Sequence, residues 1–169
     1  MCGFVGLCKR KILNDKDINT INNISKKLNH RGPNQNSDWI SSSRKVFLSH
    51  RRLSINDLSE EGIQPMISQT GRYVIVFNGE IYNFLNLKKE FEENNYKFKG
   101  RSDTEVLLCL IEKYGLKDAV SKLNGMYSFA LYDLNLKKIY LVRYKNGQKP
   151  LYFYKDKNSF FFTSELRNL

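Results

Sequence analysis

Metal-binding side chains are scarce in this 169-residue chain: it has two histidines, His30 and His50, and three cysteines, Cys2, Cys8 and Cys109, with no Cys-x-x-Cys pair. The odd cysteine count argues against a disulfide scaffold, and the missing ligand spacing argues against a zinc ribbon, so no metal site is expected. No apolar run approaches the ~20 residues of a membrane-spanning helix. Internal repeats, low-complexity tracts and Pro-, Gly- or Ser-rich linkers are also lacking, which leaves residues 1–169 as one continuous domain. The first residues, Met1-Cys2-Gly3-Phe4-Val5-Gly6-Leu7-Cys8, carry neither the basic leader nor the longer apolar stretch of a secretory signal. A cytoplasmic setting is therefore expected, with no membrane partner.

What is present is the balance of a folded protein, with 41% hydrophobic and 27% charged residues in a length suited to one well-buried domain. The net charge of +11 raises the question of nucleic acid. However, the basic pairs and triplets, such as Lys9-Arg10-Lys11, Lys26-Lys27 and Lys137-Lys138, are scattered beside turns and on polar helix faces, where they read as solvated surface. No nucleic-acid partner is expected.

The order of elements is strands, then helices, then strands. Gly3 to Cys8 suits a buried strand, and Ile18, Ile21, Ile24 and Leu28 recur at helical spacing behind Asn14-Asp15. Val46 to Ser49 and Tyr73 to Phe77 read as strands, the second ending in a sharp turn at Asn78-Gly79. Leu85, Leu87 and Phe91 suggest a helix. Ser102-Asp103-Thr104-Glu105 has the form of a capping box, which starts a helix at Asp103 with Val106, Leu107, Leu110, Ile111 and Tyr114 on one face. Residues 126–133, 138–143, 151–154 and 160–163 then read as an antiparallel meander. This pattern implies an α+β protein of stacked sheet and helix layers.

Candidate chemistry begins at Cys2. Met1 is commonly trimmed before a small residue, and an α-amino group, with a pKa of about 7.7 to 8.0, can serve as general base for its own residue's thiol. By itself Cys2 reads more readily as a buried, inert packing residue. Asn78-Gly79 could aim a side-chain amide and a backbone N–H at one oxyanion, with the Glu80 carboxylate nearby, or it could be a plain turn. Arg52 has the planar fork for an α-carboxylate, and Asp103 could accept from an α-ammonium. The duller readings are a solvated strand-edge Arg and an Asp placed to suit the helix dipole.

Taken together, the motifs resemble a family. Met1-Cys2-Gly3-Phe4-Val5-Gly6, His30-Arg31-Gly32-Pro33, Ser49-His50-Arg51-Arg52-Leu53-Ser54-Ile55, Gln64-Pro65-Met66, Phe77-Asn78-Gly79-Glu80-Ile81-Tyr82-Asn83, Ser102-Asp103-Thr104-Glu105 and the run from Leu123 to Asp133 follow the order of the N-terminal glutaminase domain of glutamine-hydrolysing asparagine synthetases. The resemblance implies the N-terminal nucleophile hydrolase fold, a four-layer αββα sandwich of two antiparallel sheets between helical layers. It implies hydrolysis of L-glutamine to glutamate and ammonia, with Cys2 as nucleophile and Asn78 and Gly79 as the oxyanion hole. Arg52, Leu53, Ile55, Glu80 and Asp103 would bind glutamine. No cofactor is implied for this step. ATP and Mg would enter only through an ATP-dependent synthetase domain or subunit that accepts the ammonia, and a homodimer is left open.

The chain departs from the family pattern at Tyr144, where an Asp usually follows Arg143, and at Asn34, where an Asp usually follows Arg-Gly-Pro. The segment from Phe162 to Leu169 is similar to the family's late glutaminase region, beyond which a further stretch and a synthetase domain are expected. Nothing resembling the Ser-Gly-Gly-x-Asp-Ser nucleotide loop of that domain occurs here. The alternative function is a catalytically silent regulatory or interaction domain that keeps the fold.

Overall fold

The computed structural model describes residues 1–54 and 60–168. Two antiparallel sheets carry the architecture. The first has the order β2 (Gln35–Ile40), β3 (Val46–Arg52), β1 (Gly3–Lys9), β9 (Ser159–Thr163) and β8 (Tyr152–Lys155). The second has the order β4 (Met66–Ile67), β5 (Tyr73–Ile81), β6 (Gly125–Asp133) and β7 (Lys138–Arg143). Helix α1 (Asp15–Lys27) covers the outer face of the first sheet, while α2 (Phe84–Glu92), α3 (Asp103–Tyr114) and α4 (Leu116–Ser121) cover that of the second.

Three apolar layers follow from strand alternation, because successive side chains point to opposite faces. Phe4, Val46, Leu48, Val74, Val76, Ala130, Tyr132 and Phe162 fill the gap between the sheets. Their neighbours Val5, Leu7 and Phe47 turn outward to meet Leu13, Ile21 and Leu28 around α1. On the opposite side Ile75, Phe77, Phe129 and Leu131 meet Val106, Leu107, Leu110 and Ile111 of α3. The arrangement is the αββα sandwich expected from the resemblance.

Local details differ from the sequence expectations in instructive ways. Strand β5 runs through Asn78-Gly79 to Ile81, with Asn78 opposite Ser128 and Gly79 opposite Tyr127, so this pair forms no turn. Long-range pairing with β6 outweighs the local turn preference. Gly79 is needed there for another reason: a Cβ would lie 2.4 Å from the Met126 carbonyl oxygen and 2.6 Å from Tyr127 Cα. At α3, Ser102 caps as expected by accepting from the Thr104 N–H, but Glu105 does not close the box. Its carboxylate instead accepts from the N–H groups of Lys99 and Gly100 at 2.8 and 3.0 Å, fastening the preceding loop. A complete capping box sits instead at α1, between Asn14 and Asp17. The polar edge strand β2, the two-residue β4 and the short α4 carry too little periodic apolar signal to have been read. Among the described residues no helix is long and apolar enough to cross a membrane.

His50 ties the two sheets together. It is buried on the inner face of β3, and its Nε2–H donates to the Phe77 carbonyl of β5 at 3.0 Å. A carbonyl only accepts, which fixes the neutral tautomer and leaves Nδ1 without a hydrogen-bond partner. Burial is the main cause that lowers its pKa to about 4. The folded state therefore binds fewer protons than the unfolded state between pH 4 and 6.5, so this group's contribution to stability is full above 6.5 and is lost as pH falls through 4. The shift corresponds to something on the order of 3 kcal/mol across that window. Denaturant titrations of wild type and His50→Gln at pH 4 to 7.5 should show the variant losing less stability on acidification. Parallel pH curves would refute this role.

Candidate active site

The inner-face rows do not stop where the apolar core stops. On β3 the row Leu48–His50 continues to Arg52, and on β5 the row Val74–Val76 continues to Asn78 and Glu80. The β1–β3 register pairs Gly3 with Arg51, so one further step along the same row sets Cys2 beside Arg52. All four side chains are thus delivered to one end of the inter-sheet gap. There they line a cavity of about 190 Å³ together with Leu53, Gly62, Gln64, Phe77, Gly79, Asp103 and Lys149. That volume is below the ~300–1,000 Å³ usual for drug-sized ligands and suits a small metabolite.

The cavity has opposed charged walls. Arg52 is 7% exposed and donates through one guanidinium nitrogen to Gln35 Oε1 at 2.6 Å. Its guanidinium lies over Gly62, where a Cβ would come within 2.1 Å of it. Lys149 lines the cavity as well and is buried. It is presented by a loop that Arg143 clamps, donating to the carbonyls of Gly147 and Lys149 at 2.6 and 3.1 Å. Facing these cations are Glu80 at the end of β5 and Asp103 in the first turn of α3. Asp103 is 8% exposed, and its Oδ2 accepts from the Ile81 N–H at 3.0 Å. Burial pushes its pKa up to about 6, with a further push from Glu80, against the hydrogen bonds from Ile81 and Thr104 that favour the anion.

Two donors that border the same cavity as Cys2 have no partner among the described residues. The β5–β6 ladder is bracketed by hydrogen bonds from Tyr82 N–H to Asn124 and from Leu134 N–H to Arg72. Even-numbered backbone groups of β5 therefore point to β6 and odd-numbered ones point away. Strand β4 covers only Val74 and Ile75, so the groups of Phe77, Gly79 and Ile81 emerge beyond it. The Phe77 N–H donates to Gln64 Oε1 at 2.6 Å and the Ile81 N–H donates to Asp103. Between them the Gly79 N–H, which borders the cavity, has no partner among the described residues. The same holds for Asn78 Nδ2, whose residue is only 1% exposed. Buried donors are rarely left unpaired, and the buried Asn78 amide nitrogen and the half-buried Gly79 N–H border the same cavity as Cys2.

Cys2 is half-buried, with its Sγ 3.4 Å from the Leu53 N and 3.7 Å from the Leu53 carbonyl oxygen. Its own carbonyl accepts from Arg31 Nε at 3.0 Å. Arg31 in turn is steadied by Glu165, which also pairs with His30 at 2.7 Å, so the His30-Arg31-Gly32-Pro33 loop locks the start of the chain to the turn after β9. Partial burial lowers the pKa of the Met1 amine, opposed by Cys2 and reinforced by the charges of Arg31 and Lys149. The other two thiols are of a different kind: burial pushes Cys8 up to about 12 and Cys109 to about 11.

Cys2, Arg52, Leu53, Asn78, Gly79, Glu80 and Asp103 therefore meet in one cavity, while Ile55 lies outside the described residues. Sequence reasoning passed over Lys149 and gave Gln64 no role, although both line the cavity. The two departures are accommodated locally. Asn34 Oδ1 accepts from the Ser54 N–H at 3.0 Å, so a neutral amide suffices there. Tyr144 packs its ring 5.4 Å from that of Tyr127, on the helical side of the second sheet. Among the described residues no group of three or more His, Cys, Asp and Glu side chains is placed to hold a metal ion.

Comparison with known proteins agrees with this geometry. Residues 1–169 match the family model of the glutamine amidotransferase domain. The chain is 39% identical to asparagine synthetase [glutamine-hydrolyzing] 1 of Bacillus subtilis, over 100% of this chain and 26% of that protein. It is 36% identical to putative asparagine synthetase [glutamine-hydrolyzing] 2 of Methanocaldococcus jannaschii, over 100% of this chain and 35% of that protein. It thus spans about a quarter to a third of the length of these relatives. The glutamine phosphoribosylpyrophosphate amidotransferase of B. subtilis shares the fold, with a TM-score of 0.83 at 21% identity over 99% of this chain and 42% of that one.

The raised pKa of Asp103 has a measurable cost. An acid whose folded pKa lies above its unfolded value binds more protons when folded, so stability falls as pH rises from about 4 through about 6. This slope opposes that of His50. Asp103→Asn keeps an acceptor for the Ile81 N–H and removes the buried charge. Relative to wild type it should be more stabilised at pH 8 than at pH 4, by up to about 3 kcal/mol. Denaturant midpoints at the two pH values measure this, and an equal effect at both would refute it.

Proposed function

This chain belongs to the glutamine amidotransferase domain family, and from that membership we propose that it hydrolyses L-glutamine to glutamate and ammonia with Cys2 as nucleophile. The observation that carries the reading is that one cavity is lined by a thiol, two donors with no partner among the described residues, two cations and two acids. A free amino acid bears a carboxylate and an ammonium on one carbon. Arg52 matches the first through its planar fork and Asp103, with Glu80, matches the second. Leu53 and the neighbouring Ile55 would complete the binding wall.

In the proposed sequence, removal of Met1 frees the α-amine of Cys2, which takes the thiol proton as sulfur attacks the side-chain amide carbon. The amide oxygen becomes an oxyanion held by Asn78 Nδ2 and the Gly79 N–H. The ammonium formed on Cys2 returns the proton to the leaving nitrogen, the C–N bond breaks, and ammonia departs from a γ-glutamyl thioester. Water, deprotonated by the same amine, then cleaves the thioester to glutamate and restores the thiol. Burial first, and then the charges of Arg31 and Lys149, favour the Met1 amine in its neutral form, and the same surroundings would act on the Cys2 amine after Met1 is removed. By analogy with the relatives' names, the ammonia would serve an ATP-dependent amidation of the asparagine synthetase type in a synthetase domain or subunit, in the cytoplasm. ATP and Mg would be required there and not for hydrolysis.

The test needs purified chain, glutamine and a glutamate assay. Wild type should release glutamate and show an intact mass lacking Met1. Cys2→Ala should abolish release while glutamine binding persists, and Asn78→Ala should lower turnover by about 100- to 1,000-fold. A glutamine-like alkylating agent should label Cys2 and spare Cys8 and Cys109, whose thiols are held protonated. A folded chain that binds no glutamine and labels all three cysteines equally would overturn the proposal in favour of a silent domain.

A further inference from the structure

Gln64, which is 7% exposed, bridges two separate elements of the site. Its Oε1 accepts from the Phe77 N–H of β5 at 2.6 Å, and its Nε2 donates to Thr104 Oγ1 of α3 at 3.2 Å. The amide orientation is forced, because a backbone N–H can only meet an acceptor. Thr104 Oγ1 in turn donates to Asp103 Oδ1 at 3.4 Å. A single directed chain therefore runs from the β5 edge through Gln64 and Thr104 to the Asp103 carboxylate. Phe77 immediately precedes the two unpaired donors, and its carbonyl is held on the same side by His50. Both hydrogen-bonding groups of the Phe77 backbone are thus fixed by buried side chains, one of which also touches the helix that bears Asp103.

This placement answers a geometrical need. Strand β4 pairs with β5 only at Val74 and Ile75, so at residues 77–79 the β5 edge is tied to α3 not by a neighbouring strand but by Gln64, by the Ile81–Asp103 hydrogen bond beyond it and by the packing of Phe77. The ligand proposed above reaches from one to the other, with its amide at Asn78 and Gly79 and its ammonium at Asp103. We propose that Gln64 is a positioning residue that fixes the separation between the oxyanion donors following Phe77 and the carboxylate of Asp103. The inference rests on the glutaminase reading and adds to it a coupling between the reacting end and the recognition end of the substrate. Hydrogen bonds joined in a chain reinforce one another, so breaking any link loosens both ends.

The experiment compares wild type, Gln64→Leu, Thr104→Val and the double variant in this chain. Each is assayed for glutamine turnover, for alkylation of Cys2 by iodoacetamide, and for folding by circular dichroism. Iodoacetamide uses neither the oxyanion donors nor Asp103, so it reports the thiol alone. Gln64→Leu should lower kcat/KM for glutamine by about 10- to 100-fold, the loss usual for a displaced reacting group, with alkylation unchanged. Thr104→Val should lower it by less, and the double variant should be no worse than Gln64→Leu, because both changes cut one chain. Wild-type kcat/KM in a folded Gln64→Leu, a parallel fall in alkylation, or full additivity in the double variant would overturn the proposal. If Gln64→Leu does not fold, Thr104→Val decides: a loss in kcat/KM with intact alkylation supports the proposal and wild-type kinetics overturns it. A wild-type chain inert toward glutamine would instead sink the glutaminase reading itself.

Discussion

Strand alternation is the constraint on which the rest of this structure depends. A side chain on β1, β3, β5 or β6 must face either the inter-sheet gap or a helical layer, and neighbours must take opposite choices. The rows that bury Phe4, Leu48, Val74 and Val76 are the rows that carry Cys2, Arg52, Asn78 and Glu80. The apolar part of each row sets the sheet separation through packing, and the polar end inherits that separation. A slip of one residue in β1, β3 or β5 would turn that strand's share of these groups to the wrong face. Core and site are therefore one geometrical object, and a register that buries the core also assembles the cavity.

The sheet edge explains how polar groups come to be left open in a protein that otherwise satisfies them. Because β4 pairs with only two residues of β5, the backbone beyond Ile75 meets side chains in place of a neighbouring strand. Gln64, His50 and Asp103 each satisfy a backbone group of Phe77 or Ile81. Gly79 lies between them with its N–H turned to the cavity. A longer β4 would have closed this donor in a ladder, and the short strand is thus part of the site's design. The adjacent Asn78 Nδ2 is buried with no partner among the described residues for the same spatial reason: it lies past the apolar row, where the cavity begins.

Electrostatics separates the groups that stabilise the fold from those held ready for a ligand. His50 is buried neutral between the sheets and spends its donor on Phe77, so its effect is structural. Asp103 is a buried acid near two unlike neighbours, Glu80 and Ile81, and its anion is less favourable in the folded protein than in water. A cationic ligand group would relieve that strain, whereas an empty cavity does not. Arg52 and Lys149 bring the opposite sign to the same cavity, so its lining carries the two kinds of charge that a zwitterion would meet.

The sequence by itself determined the α+β layering, the main helices and strands, and the seven candidate residues, from Cys2 to Asp103, that line the cavity, because apolar periodicity, a Ser cap and ordered local motifs are properties of neighbouring residues. It misread Asn78-Gly79 as a turn and Glu105 as half of a capping box, since each local preference was overruled by a partner distant in the chain: β6 in one case, the Lys99-Gly100 loop in the other. It passed over Lys149, whose place in the cavity depends on a loop clamped by Arg143, and over Gln64, whose importance lies wholly in bridging β5 and α3. Only the tertiary structure decided which donors remain unpaired, because a hydrogen bond withheld from Gly79 is a fact about where β4 ends and not about any residue near it in sequence.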